Sequence, residues 1–138
     1  MKTISQIDEA LATWKAPTDL GQGAEELLSF AEQVLENWLI AKGKKPTLIK
    51  SEGFRLLGLH RQGAKGDPSF NACRETCREA IYNYNLICDN PKAENAAANI
   101  VKLRRIVQHI ALFIGGKMQV TGLGEFCCAS KPIRLLEV

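Results

Sequence analysis

The sequence predicts an all-α protein: an up-and-down antiparallel bundle of four main helices, with a short N-terminal helix packed on it and an irregular C-terminal tail. Three observations carry this. Apolar residues recur at intervals of three and four in five successive segments that cover most of residues 4–116. Helix start and stop signals, namely Asp-Pro, Asn-Pro and glycine, fall between the segments. The connections around residues 43–46, 66–68 and 89–91 are short enough to force neighbouring helices antiparallel. With 138 residues, 46% hydrophobic and 24% charged, the chain suits one domain over 1–138, whose core needs neither metal nor disulfide. The bundle is expected over about 4–116 and the tail over about 117–138.

Thr3 with Gln6 makes a capping-box pattern, and Ile4, Ile7, Leu11 and Trp14 follow at spacings of 3, 4 and 3. This first helix ends before Pro17, which disfavours helical geometry at Ala16, and residues 18–23 read as a loop. From Ala24, the stripe Leu27, Ala31, Val34, Trp38 and Ala41 predicts a longer second helix, with Gly43 at a left-handed cap. Pro46 suits the first turn of a third helix, expected over residues 46–65 with Ile49, Phe54, Leu56, Leu57 and Leu59 as its apolar positions. Gly53 and Gly58 lie inside that span; each costs about 1 kcal/mol relative to Ala mid-helix, so they permit a close contact or mark a kink.

Asp67-Pro68 starts the fourth helix, on which Phe70, Cys73, Cys77, Ile81, Tyr84 and Cys88 form the clearest stripe in the chain. Asn90-Pro91 starts the fifth, and Ala93, Ala97, Ile100, Leu103, Val107, Ile110 and Ile114 carry it to Gly115-Gly116. Beyond those glycines no period is sustained. Residues 110–114 are apolar on nearly every side, more than one inward stripe requires, so either the bundle and tail cover the excess or, the favoured alternative, a second copy does as a homodimer.

Composition excludes several classes of function. The longest apolar run, Ile110 to Ile114, is far short of the roughly 20 residues of a membrane-crossing helix. The alternating N-terminus lacks the continuous apolar stretch of a secretory signal, so a cytoplasmic protein is expected. Five cysteines, an odd number, read as thiols: Cys73, Cys77 and Cys88 as core side chains, and one of the adjacent Cys127 and Cys128 as accessible. His60 and His109 read as half-buried, at helix borders. No zinc-knuckle spacing, phosphate-binding glycine loop, nucleophile elbow or dinucleotide fingerprint occurs, so neither a cofactor nor a metal is expected.

The most suggestive chemistry is basic. Arg55, His60, Arg61, Lys65, Arg74 and Arg78 fall within 24 residues around the junction of the third and fourth helices. A helix start there offers unpaired N–H groups and a positive dipole end, so an anion site of Arg61, Lys65, Ser69, Arg74 and Arg78 is expected near Ser69. Asp67 opposes it, since as N-cap it would occupy those donors, and Glu75 and Glu79 could neutralise the arginines as a solvated face. The net charge of +3 is modest and dispersed and the aromatics are few, so nucleic acid is a possible but disfavoured partner. The leading expectation is a cytosolic helical binding or accessory module acting through a protein partner or ligand, without catalysis. A nucleic-acid or polyanion regulator using the basic junction is the alternative, and a thiol- or metal-dependent enzyme the third.

Overall fold

A computed structural model describes residues 1–122. The described chain folds into α1 (Ile4–Ala12), α2 (Leu20–Ala41), α3 (Arg55–Ala64), α4 (Asn71–Asp89) and α5 (Ala96–Val120), with a 3-10 turn, Pro68–Phe70, leading into α4. These helices pack on one another as an all-α bundle. Helix α5 runs against α4, α2 and α1, whereas α3 packs on α2 and α4 and does not reach α5. Among the described residues, no helix is long and apolar enough to cross a membrane.

The capping box forms at α1: the Gln6 amide donates to Thr3 Oγ at 3.2 Å and the Thr3 amide donates to Gln6 Oε1 at 2.9 Å. Ile4, Ile7 and Leu11 are buried, as their spacing predicts. Helix α2 starts at Leu20, earlier than the expected Ala24. Asp19 Oδ1 accepts from the amides of Gly21 and Gln22 and so caps it. The glycines that make residues 18–23 read as a loop serve packing instead: a Cβ on Gly23 would lie 3.1 Å from Pro17 Cδ and 3.3 Å from the Trp14 ring. Gly43 takes the left-handed conformation expected of it, at φ 76°.

The third helix is half as long as expected. Residues 45–54 are not helical, and Ser51 and Phe54 exchange backbone hydrogen bonds of 3.0 Å around a tight turn in which Glu52 (φ 54°) and Gly53 (φ 85°) are both left-handed. Ile49, expected inward, is exposed at 74%. Gly58 permits a close contact: a Cβ there would sit 2.0 Å from the Ile49 carbonyl oxygen, so the preceding segment lies directly on α3.

Cys73 and Cys77 are buried on α4, but Cys88 is exposed, because in the last turn of the helix its neighbour Ile87 takes the inward position. Helix α5 begins at Ala96, after a turn segment, and continues through Gly115-Gly116, so residues 117–120 of the expected tail are helical. Of residues 110–114, Ile110, Ala111 and Ile114 are buried and Phe113 is half-buried against the core, leaving Leu112 exposed at 65%. The apolar excess that argued for a second copy is thus one leucine. Residues 123–138, with Cys127, Cys128 and most of the expected tail, lie outside the described residues.

Candidate anion-binding cleft

The junction of α3 and α4 is built around Phe70. Its buried ring stacks on Trp38 at 5.6 Å, lies 5.3 Å from the His60 ring and meets Phe113 edge-on at 6.4 Å. A Cβ on Gly63 would fall 2.6 Å from the ring, so only glycine lets the last turn of α3 come this near. His60 Nε2 lies 2.8 Å from the Phe70 carbonyl oxygen; a carbonyl accepts, so Nε2 carries the proton and donates. Burial holds the imidazole below its ordinary pKa, and the nearby charges of Arg74 and Arg78 push the same way. His60 is therefore a neutral packing group, more buried than expected, while His109 is exposed on α5.

On its other flank Phe70 meets Lys117, whose ammonium lies 5.1 Å from the Trp38 ring centre and 5.5 Å from that of Phe70. Lys117 pairs with Asp67 at 3.3 Å and donates to Ser69 Oγ, which donates in turn to Asp67 Oδ1 at 2.6 Å. The Ser69 hydrogen bond, aided by Lys117, holds the Asp67 carboxyl below its usual range. Asp67 thus makes no side-chain cap to the helix start, and the start itself is a 3-10 turn. Ser69 belongs to this latch and does not line the basic cleft.

The cleft lies between turn 51–54, α3 and the first half of α4, and has a volume of about 420 Å³. Arg61, Lys65, Arg74 and Arg78, four of the five residues the sequence singles out, line it together with Ser51, Glu52 and Asn71. Arg61 Nη1 donates to Ser51 Oγ at 3.4 Å. Arg78 donates through Nη2 and Nη1 to the two Glu52 carboxylate oxygens at 2.7 and 3.3 Å, reaching across the cleft rather than along its own helix to Glu75 or Glu79. Arg61, Lys65 and Arg74 form no ion pair among the described residues.

The other basic residues of interest serve the fold. Arg55 fastens α3 to α2 through Glu32 (3.7 Å) and Glu36 (3.4 Å) and donates to the Thr47 carbonyl. Arg104 donates to the carbonyls of Leu11 and Ala12 and so caps α1. A second cleft, of about 400 Å³, lies between α1, α2 and α5 and is lined by Ile4, Ile40, Leu112 and Met118; it gathers no comparable charge. The Cys73 and Cys77 sulfurs are 3.6 Å apart in the core, where sharing a hydrogen bond and burial both push the Cys77 thiol up. Among the described residues, no group of three or more His, Cys, Asp or Glu side chains could hold a metal ion.

Ser51, Glu52 and Asn71 are cleft residues that the sequence reading misses. The available signal was the Ser-Glu-Gly run at 51–53, a turn composition that the expected long helix overrides. Comparison with family models, with curated proteins and with solved structures finds no match to this chain.

Proposed function

We propose that this chain is a small helical binding module whose ligand is a small anion seated in the basic cleft between α3 and α4. The observation that carries this reading is the convergence of Arg61, Lys65 and Arg74 on one concave site, unpaired among the described residues. Like charges gathered in a cleft repel one another and focus a positive potential into it, and a bound anion relieves the repulsion. By contrast, Arg55, Arg104 and Lys117 each have carboxylate or carbonyl partners, whereas Arg61, Lys65 and Arg74 line one concave site without a carboxylate partner among the described residues. A volume of about 420 Å³ suits a small molecule rather than an extended polymer. The lining offers no Phe, Tyr or Trp on which the base of a single strand would stack. We place the module in the cytoplasm, since an odd number of cysteines fits a compartment that keeps thiols reduced.

The test is titration with inorganic phosphate, nucleotides and short oligonucleotides at two salt concentrations, comparing wild type with Arg61→Ala and Arg74→Ala. Each substitution is expected to weaken binding about tenfold, equivalent to roughly 1.4 kcal/mol, and binding should fall as salt rises. Equal binding by both variants would place the ligand elsewhere. Oligonucleotides binding far more tightly than nucleotides, with a steep salt dependence, would favour a polyanion regulator instead.

A further inference from the structure

We infer that Glu52 is a built-in occupant of the ligand's place, holding the Arg78 guanidinium until the phosphate of a small phosphorylated molecule displaces it. This rests on the cleft being the binding site proposed above. Arg78 is the one cation of the cleft with a carboxylate partner among the described residues, and the partner is engaged by both of its terminal nitrogens. A guanidinium fork presents the same pair of donors to a carboxylate and to a phosphate, so Glu52 takes up the geometry a phosphate would use.

The backbone brings Glu52 there against its local preference. Among the described residues it is the one non-glycine with positive φ, at 54°, a conformation that suits Gly, Asn or Asp far better than Glu. The carboxylate makes no hydrogen bond within its own turn; what it reaches is Arg78, 26 positions along the chain. The pair is also poorly suited to be a permanent fastening, since its side chains are 40% and 56% exposed and water screens such a contact. The Arg55 pairs, which do fasten helices, are about half as exposed or less, with the arginine 21% and the glutamates 23% and 20% exposed.

Charge then selects the class of ligand. One carboxylate leaves the four cleft cations with a net excess of positive charge. A terminal phosphate or a diphosphate carries more negative charge and more acceptor oxygens than a carboxylate, so it can hold Arg78 and a second cation at once. A monocarboxylate would exchange like for like with Glu52 and gain nothing.

The experiment is calorimetric titration of the full chain with inorganic pyrophosphate, with acetate as the monocarboxylate control, using wild type, Glu52→Gln, Glu52→Gly and Arg61→Ala. Glu52→Gln removes the competing charge at nearly constant shape, and Glu52→Gly removes it with a residue the left-handed turn favours. Both should tighten pyrophosphate binding fivefold or more, Arg61→Ala should weaken it, and acetate should bind neither wild type nor Arg61→Ala detectably. Wild-type affinity in both Glu52 variants, with Arg61→Ala still weakened, would overturn the role of Glu52 and leave the cleft standing. Weaker binding in both would make Glu52 a ligand contact and equally overturn it. Binding indifferent to Arg61→Ala would remove the cleft reading itself, and no pyrophosphate binding by wild type or either Glu52 variant would remove both.

Discussion

At the junction of α3 and α4, a glycine, a histidine and a lysine all take their positions from the ring of Phe70. Gly63→Ala would force a methyl group to 2.6 Å from that ring in a place with no slack. It is expected to lower stability by about 1–3 kcal/mol, read as a lower urea midpoint at unchanged slope. His60 gives a pH dependence whose sign follows from its lowered pKa. As pH falls below 6.5 the unfolded imidazole takes up a proton before the folded one, so stability is lost from about pH 6.5 downward to the folded pKa. Asp8 and Glu32, raised by burial, act in the opposite sense at acid pH, which makes the comparison with His60→Gln the decisive one. Thermal melts from pH 7.5 to 5 should show wild type losing stability, with the loss reduced in the variant. An equal loss in both would show that His60 does not titrate in this way. Thiol labelling separates the cysteines similarly: Cys88, exposed but with its thiol raised by burial of its sulfur, should alkylate slowly, and Cys73 and Cys77 more slowly still, as peptide mass mapping would show.

Helix ends and helix glycines are less legible in the sequence than helix faces, and the reasons are local. The inward stripes of α1, α2 and α4 were legible because they depend on spacing alone, and burial follows them closely except at Cys88. Pro46 and Gly115-Gly116 misled because a proline or a glycine signals a boundary only when the backbone there is free to change direction. Residue 46 precedes an extended segment pressed on Gly58, and at residues 115 and 116 α5 continues without a break, Ile4 of α1 lying at an ordinary 3.5 Å from where a Cβ on Gly115 would sit. Four of the five site residues are legible as a basic cluster; the fifth, Ser69, has its hydroxyl held by Asp67 and Lys117 outside the cleft. Two substitutions should move stability in opposite directions. Asp19→Ala removes the cap of α2 and should cost about 0.5–2 kcal/mol. Gly115→Ala places a methyl group at an ordinary 3.5 Å from Ile4 and should gain about 0.5–1 kcal/mol. Thermal unfolding of the two variants checks both, and a destabilised Gly115→Ala would mean that the α1–α5 contact is tighter than its spacing implies.

The all-α architecture follows from five periodic segments, but its unequal partition could not be seen in the sequence, because which helices touch depends on where a turn directs the chain. Helices α2, α4 and α5 share their long contacts, while α3 packs on α2, α4 and the turn before α4, with its own preceding segment laid on it, and does not reach α5. One wall of the cleft is therefore the part of the molecule that can come away without parting the three long helices. Regions held by fewer neighbours open with smaller free energies than the centre of a core. Amide hydrogens in residues 56–64 should exchange with deuterium faster than those in residues 100–114, and a bound anion should slow the first set while leaving the second nearly unchanged. Closure around a ligand would then be a local ordering of one helix and its preceding turn, with the interior serving as a fixed floor.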